Sequence, residues 1–172
     1  MEDLGRVEPA DAKKAPRHSV VVILDDVRSM QNVGSVFRTC DAFAVSELFL
    51  CGYTPKPPHR DIHKTALGAT ETVAWRHFEN VADAIAAARS EGYRILAVEQ
   101  AHNSSTLHEH QYGTEQIALV FGNEVTGVSD MALENADGCL EIPQYGSKHS
   151  LNISVSVGIV LWELVRSVYA PK

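Results

Sequence analysis

The stretch Glu141–Leu164, EIPQYGSKHSLNISVSVGIVLWEL, decides how the rest of the chain is read. Leu140-Glu141-Ile142 is a short apolar strand end, stopped by Pro143 because proline has no N–H to give to a ladder. A polar loop, Gln144 to His149, follows. Beyond it Leu151, Val155, Gly158, Ile159 and Trp162 recur at helical spacing, which predicts a closing helix from about Ser150 to Val168. Ser150 or Asn152 is placed to cap its free amides. Ser154, Ser156 and Gly158 are weak helix formers, so their presence points to a close approach by another backbone. A loop leading into a polar-tipped helix start is where an α/β protein holds a polar ligand.

Working back from that stretch, strands and helices alternate. Ser19–Val27, SVVVILDDV, is a continuous β-branched run that reads as a buried parallel strand. A helix follows, with Val33, Val36, Phe37, Cys40 and Phe43 on one face and Asn32 as the expected cap. Further strands are expected at Glu47–Cys51, Val73–Phe78, Tyr93–Val98, Ile117–Phe121 and Cys139–Ile142. Brief helices are expected at Ile62–Gly68 and Ser129–Ala136, and a longer one over Val81–Ser90 capped by Asn80. Ala101–Gly113 reads as a long polar loop. The alternation gives an α/β fold with a mostly parallel sheet flanked by helices. Ligands of such sheets sit beyond the carboxyl ends of strands, so the turns at Gln100, Gly122 and Pro143 are expected to line one crevice.

At 172 residues the chain has the length of one domain, and 45% hydrophobic with 22% charged residues is ordinary for a soluble protein. No stretch approaches a membrane span, and the charged N-terminus is unlike a signal peptide. Residues 1–18 read as a flexible arm and 19–172 as the working domain. Cys40, Cys51 and Cys139 lie far apart without metal-ligand spacing and read as thiols of a reducing, cytoplasmic compartment. His108-Glu109-His110 lacks a second ligand pair, so no metal is expected. The net charge of −7 runs against nucleic acid as a partner except through local cations, of which Lys56, His59, Arg60, His63 and Lys64 form one cluster.

There is no G-x-G-x-x-G, Walker loop or G-x-S-x-G elbow. The polar groupings that remain at strand ends are Asn32 with Arg38, Gly122-Asn123-Glu124, and Ser150 with Asn152. Each has a bland reading: a helix cap, a solvated arginine, a turn. Their combination resembles the SpoU (TrmH-type) RNA ribose 2′-O-methyltransferases of the SPOUT superfamily across residues 19–168. The first family motif appears as Asn32-Val33-Gly34-Ser35-Val36-Phe37-Arg38-Thr39-Cys40-Asp41-Ala42-Phe43, and the second as Leu119-Val120-Phe121-Gly122-Asn123-Glu124-Val125-Thr126-Gly127-Val128. The third runs from Ile142-Pro143-Gln144 through Ser150-Leu151-Asn152-Ile153-Ser154-Val155-Ser156. Ala44 departs from the pattern, where a glycine commonly follows the phenylalanine.

The resemblance implies a C-terminal trefoil knot, which periodicity alone never shows. It implies S-adenosyl-L-methionine as cofactor, bound at Gln100, Gly122, Ile142 and Leu151, and methyl transfer to a ribose 2′-hydroxyl of tRNA or rRNA. Arg38, Asn32, Glu124, Ser150 and Asn152 are the expected catalytic set, with Asn32 and Glu124 orienting Arg38. Arg38, Lys56, Arg60 and Lys64, together with the N-terminal arm (Arg6, Lys13, Lys14, Arg17), are expected to meet RNA, with tRNA favoured over rRNA. A homodimer through the last helix is also implied, because its apolar residues occupy more than one face. The alternatives are a knotted RNA-binding module without catalysis and an unknotted α/β enzyme using another nucleotide.

Overall fold

The β-branched run Ser19–Val27 becomes β1 (His18–Asp25), an interior strand of the sheet. The structure is a computed structural model, and it describes residues 15–101, 103–113, 115–147 and 150–168. Along β1, Val20, Val22 and Leu24 join one hydrophobic cluster, whereas Val21 and Ile23 join the other. A strand apolar on both faces has to be covered on both faces. Helices α1 (Met30–Ala42), α2 (Arg60–Ala66) and α3 (Ala69–Thr72) lie on the first side. α4 (Val81–Ser90) and α5 (Asp130–Asn135) lie on the second. Phe37 from α1 and Phe49 from β2 (Val45–Cys51) are completely buried, each stabilising the fold by about 1.5–3 kcal/mol.

β3 (Ala74–Phe78), β4 (Arg94–Val98), the two-residue β5 (Ser105–Thr106), β6 (Ile117–Phe121) and β7 (Gly138–Glu141) complete the sheet. Its order is β3-β2-β1-β6-β4-β7-β5, and every pairing is parallel. β5 lies inside the stretch read as an irregular polar loop. Its pairing with β7 was not visible because Ser105-Thr106 is too short to show a period. The last helix, α6 (Ile153–Val168), returns to pack against α1.

Two helix starts differ from expectation. The cap of α1 is Ser29, whose side chain accepts from the Asn32 backbone N–H. Asn32 therefore sits inside the first turn, where its side chain is free for other work. α6 begins at Ile153 rather than Ser150, because the Asn152 side-chain oxygen takes the Ser154 N–H at 2.9 Å and fixes the first turn there. Gly158, expected to admit a close backbone, has only the Thr39 methyl within reach of a built Cβ, at an ordinary 3.9 Å. Its smallness is not required inside this fold.

Most of the expected arm, residues 1–14 with Arg6, Lys13 and Lys14, lies outside the described residues. Arg17 is not part of a free arm. Its guanidinium donates to the Val45 carbonyl at 3.2 Å, the Thr72 carbonyl at 3.0 Å and the Asp41 carboxylate at 3.3 Å, tying the chain to the edge of the sheet. The departure from glycine at Ala44 carries a cost: its φ is +49°, a left-handed conformation that a Cβ disfavours.

Candidate active site

β6, β4 and β7 are neighbours in the sheet, so their carboxyl ends open onto one crevice of about 330 Å³. Val98, Phe121 and Ile142 supply apolar wall at the three strand ends, and Leu151 and Ile153 close it from the start of α6. Gln100, Gly122, Gln144 and Ser150 bring polar groups to the same space. All four expected cofactor residues, Gln100, Gly122, Ile142 and Leu151, thus line a single cavity.

The turn after β6 is what shapes it. Asn123 and Gly127 exchange two backbone hydrogen bonds of 2.9 Å, folding the turn back on itself. A Cβ on Gly122 would lie 2.1 Å from the Gly127 carbonyl carbon and the Val128 nitrogen, so only glycine fits there. Asn123 is buried, and its side chain donates to the Asp26 carbonyl at 2.6 Å while accepting from the Val125 N–H at 2.8 Å. Behind it the buried Asp25 carboxylate accepts from the Ser129 hydroxyl at 2.6 Å. Asn123, Asp25 and Glu99 were not among the expected site residues. Asn123 stood inside a motif already quoted, whereas Asp25 meets Ser129 across 104 residues and Glu99 meets the Val128 N–H across 29, contacts that left no local signal.

The three motifs meet in one hydrogen-bond chain. The Asn152 amide donates to the Asn32 side-chain oxygen at 3.2 Å, and the Asn32 amide donates to the Glu124 carboxylate at 2.9 Å. Glu124 also accepts from the Arg28 N–H at 3.1 Å and the Ser29 N–H at 3.3 Å, both at the start of α1. Partial burial works against its charge, but the bonds from Asn32 and from these amides outweigh that, and the carboxyl titrates below the ordinary glutamate range. Glu124 lines the crevice, so this chain fixes α1 against its wall.

Arg38 stands apart. It is exposed, and with Ser35, Thr39, Phe43, Lys64 and Thr65 it lines a second depression between α1, α2 and α6. No hydrogen bond joins Arg38 to Asn32 or Glu124, so the expected orienting contact is absent and Glu124 serves the α1 start instead. Of the other expected RNA contacts, Lys64 shares the Arg38 depression and pairs with Asp61 at 3.1 Å. Lys56 and Arg60 are exposed on the preceding loop and the first residue of α2 but do not line that depression. Cys40 and Cys51 are buried, and all three cysteines are free. Among the described residues no group of histidine, cysteine, aspartate and glutamate side chains has the arrangement to hold a metal, and no helix is long and apolar enough to cross a membrane.

Residues 19–162 match the model of the SpoU rRNA methylase family. The chain belongs to the SpoU methylase family. It is 30% identical over 161 residues to a tRNA (guanosine(18)-2′-O)-methyltransferase of Thermus thermophilus, spanning 94% of this chain and 80% of that one. Among solved structures, the TrmH/SpoU tRNA-modifying enzyme of A. aeolicus superposes with a TM-score of 0.80 at 30% identity, covering 92% of this chain and 79% of the other. An rRNA methyltransferase of Sinorhizobium meliloti with AdoMet bound superposes with a TM-score of 0.83 at 27% identity. The match covers 92% of this chain but only 61% of the Sinorhizobium one. The parallel sheet flanked by helices is the fold of these methyltransferases, and the chain is an S-adenosylmethionine-dependent RNA ribose methyltransferase. The reading as a non-catalytic binding module falls with that assignment.

Proposed function

We propose that the crevice at the ends of β6, β4 and β7 holds S-adenosylmethionine and that Arg38 serves a ribose 2′-hydroxyl of tRNA beside it. The observation that carries this reading is the Asn152–Asn32–Glu124 chain, which joins all three motifs at the crevice wall. The donor set suits the cofactor: apolar strand ends for a flat ring, backbone groups of a glycine turn for hydroxyls, and the loop before α6 for the amino-acid tail. When bound, the cofactor supplies an activated methyl group on a positively charged sulfur.

The chain's own residues do the remaining work. Gly122 and Asn123 hold the turn in one shape, so the crevice does not have to reorganise on binding. Ser150 lines the crevice, and Asn152 sets the first turn of α6. Arg38 is a clamp on the RNA phosphate and a stabiliser of negative charge developing on the 2′-oxygen. A guanidinium holds its protons too firmly to serve as a base, so the proton goes to phosphate or water. Holding two reactants in register is worth about 7–11 kcal/mol, which gives Asn32, Glu124 and Asn152 their importance as positioning residues.

We infer a homodimer through α6. Val155, Ile159 and Trp162 project outward on one side of it, with Trp162 59% exposed and its ring edge-on to Phe43 at 6.4 Å. Val157 and Val160 of the same helix are buried in the core and take no part in that face. The sheet order supports the C-terminal trefoil knot, since β6 inserts between β1 and β4 before the chain passes beyond β4 and returns on α6. Residues 19–172 form the catalytic domain in this reading, the setting is cytoplasmic, and Lys56, Arg60 and Lys64 extend the Arg38 surface toward RNA. The test is to map 2′-O-methyl positions in total RNA from cells with and without the protein. Loss of a tRNA ribose methylation is expected, and an unchanged map refutes the reading.

A further inference from the structure

We propose that the Glu99 carboxylate selects the positively charged methyl donor over its neutral demethylated product. The inference rests on the reading of the crevice as the cofactor site. Two charged side chains, Glu99 and Glu124, appear among the described residues that line the crevice, and no lysine, arginine or histidine does. Their surroundings differ. Glu124 is occupied by the Asn32 amide and two N–H groups at the positive end of α1. Glu99, one residue past β4, accepts from the Gln100 N–H at 2.9 Å with one oxygen and from the Val128 N–H at 2.9 Å with the other. No ion pair among the described residues compensates it.

Those two bonds hold the carboxylate rigidly in the wall while leaving each oxygen a further lone pair. The turn makes room for it: a Cβ on Gly127 would come within 2.3 Å of a Glu99 oxygen. The donor and its product differ in one charge at sulfur. In transfer the methyl leaves without its bonding pair, sulfur keeps that pair as a neutral thioether, and the ribose oxygen gives up its proton to solvent or phosphate. Adenosine and amino-acid parts are unchanged, so contacts to them bind both forms alike. A fixed, uncompensated negative charge in a partly enclosed wall acts on the difference alone. It favours loading before transfer and release after it.

The experiment is calorimetric titration of the intact protein and Glu99→Gln with S-adenosylmethionine, S-adenosylhomocysteine and sinefungin, whose amine is cationic near the position of the sulfonium. The amide keeps the shape and one acceptor while removing the charge. Glu99→Gln is expected to weaken the two cationic ligands on the order of tenfold and to change the neutral one by less than about twofold. An equal loss for all three ligands makes Glu99 a structural staple and overturns the proposal, as does no loss at all. Salt gives a reading independent of any folding defect: in the unmodified protein, raising it should weaken the cationic ligands more than the neutral one. A salt-independent ratio overturns the proposal. If the unmodified protein binds none of the three, the cofactor assignment itself has failed, and the proposal with it.

Discussion

Replacing Asn32 by aspartate strikes the point where the three motifs join. The Asn32 amide donates at 2.9 Å to Glu124, while its oxygen accepts at 3.2 Å from Asn152. Asn32→Asp keeps the acceptor for Asn152 and turns the donor into a second carboxylate oxygen facing the first. A charge-assisted bond worth about 1.5–3 kcal/mol is lost. Repulsion at that separation adds about 1–2 kcal/mol when screened by water, for a total near 3–4 kcal/mol at neutral pH. Asn32→Ala loses both bonds without repulsion and is expected to cost about 2 kcal/mol.

The pH dependence separates the two variants. Glu124 in the unmodified protein has a depressed pKa, so its contribution is complete above the ordinary glutamate range and is lost as pH falls through the lower folded value. In Asn32→Asp one of the paired carboxyls takes up a proton more readily, so its deficit shrinks between about pH 8 and about pH 5. In Asn32→Ala the deficit stays nearly constant over that window. Urea unfolding at several pH values is the assay. Equal deficits with the same pH dependence in both variants refute the pairing of Asn32 with Glu124.

Three further outcomes are expected. Arg38→Ala should lower single-turnover methyl transfer 100- to 1000-fold, about 2.7–4 kcal/mol, while titration with S-adenosylhomocysteine stays near normal, because Arg38 lines a different depression from the cofactor crevice. Ala44→Gly should raise stability in urea by about 1 kcal/mol by relieving the φ of +49°, and an unchanged midpoint would remove that strain from the account. Trp162→Glu should convert the proposed dimer to a monomer by light scattering at micromolar concentration with the far-UV spectrum unchanged, since the side chain is 59% exposed in the single chain.

Much of this molecule was legible because its strands are buried on both faces. Ser19–Val27 and Ile117–Phe121 are runs of apolar residues between punctuating turns, and they became β1 and β6 nearly as bounded. The apolar face of Val81–Ser90 and its cap at Asn80 also appear as expected, whereas Ser129, expected as the first residue of its helix, is the cap. The convergence of Gln100, Gly122 and Ile142 followed from their places after strands that turned out to be neighbours.

What escaped depends on contacts across long sequence separations. Asn32 read as a cap because an asparagine before a helix usually is one, yet Ser29 takes that role and releases Asn32 to Glu124, 92 residues away. The expected pairing of Glu124 with Arg38 failed because opposite charges in neighbouring motifs do not say which way a helix turns them. Arg17 looked like part of a loose basic arm, since its partners at Val45, Thr72 and Asp41 come together only when the sheet edge forms. Glu99 carried no motif at all, and its bond from the Val128 N–H, 29 residues away, forms only once the turn after β6 folds against β4.

The central claim is that the crevice and the Arg38 surface work together on a ribose hydroxyl. Its most direct test is to incubate the purified protein with tRNA and methyl-labelled S-adenosylmethionine, digest the RNA to nucleosides and identify the labelled species by mass. The account predicts a labelled 2′-O-methyl nucleoside with the unmodified protein and none with Arg38→Ala, although that variant still binds S-adenosylhomocysteine. Label on a base, or label undiminished in Arg38→Ala, would contradict it.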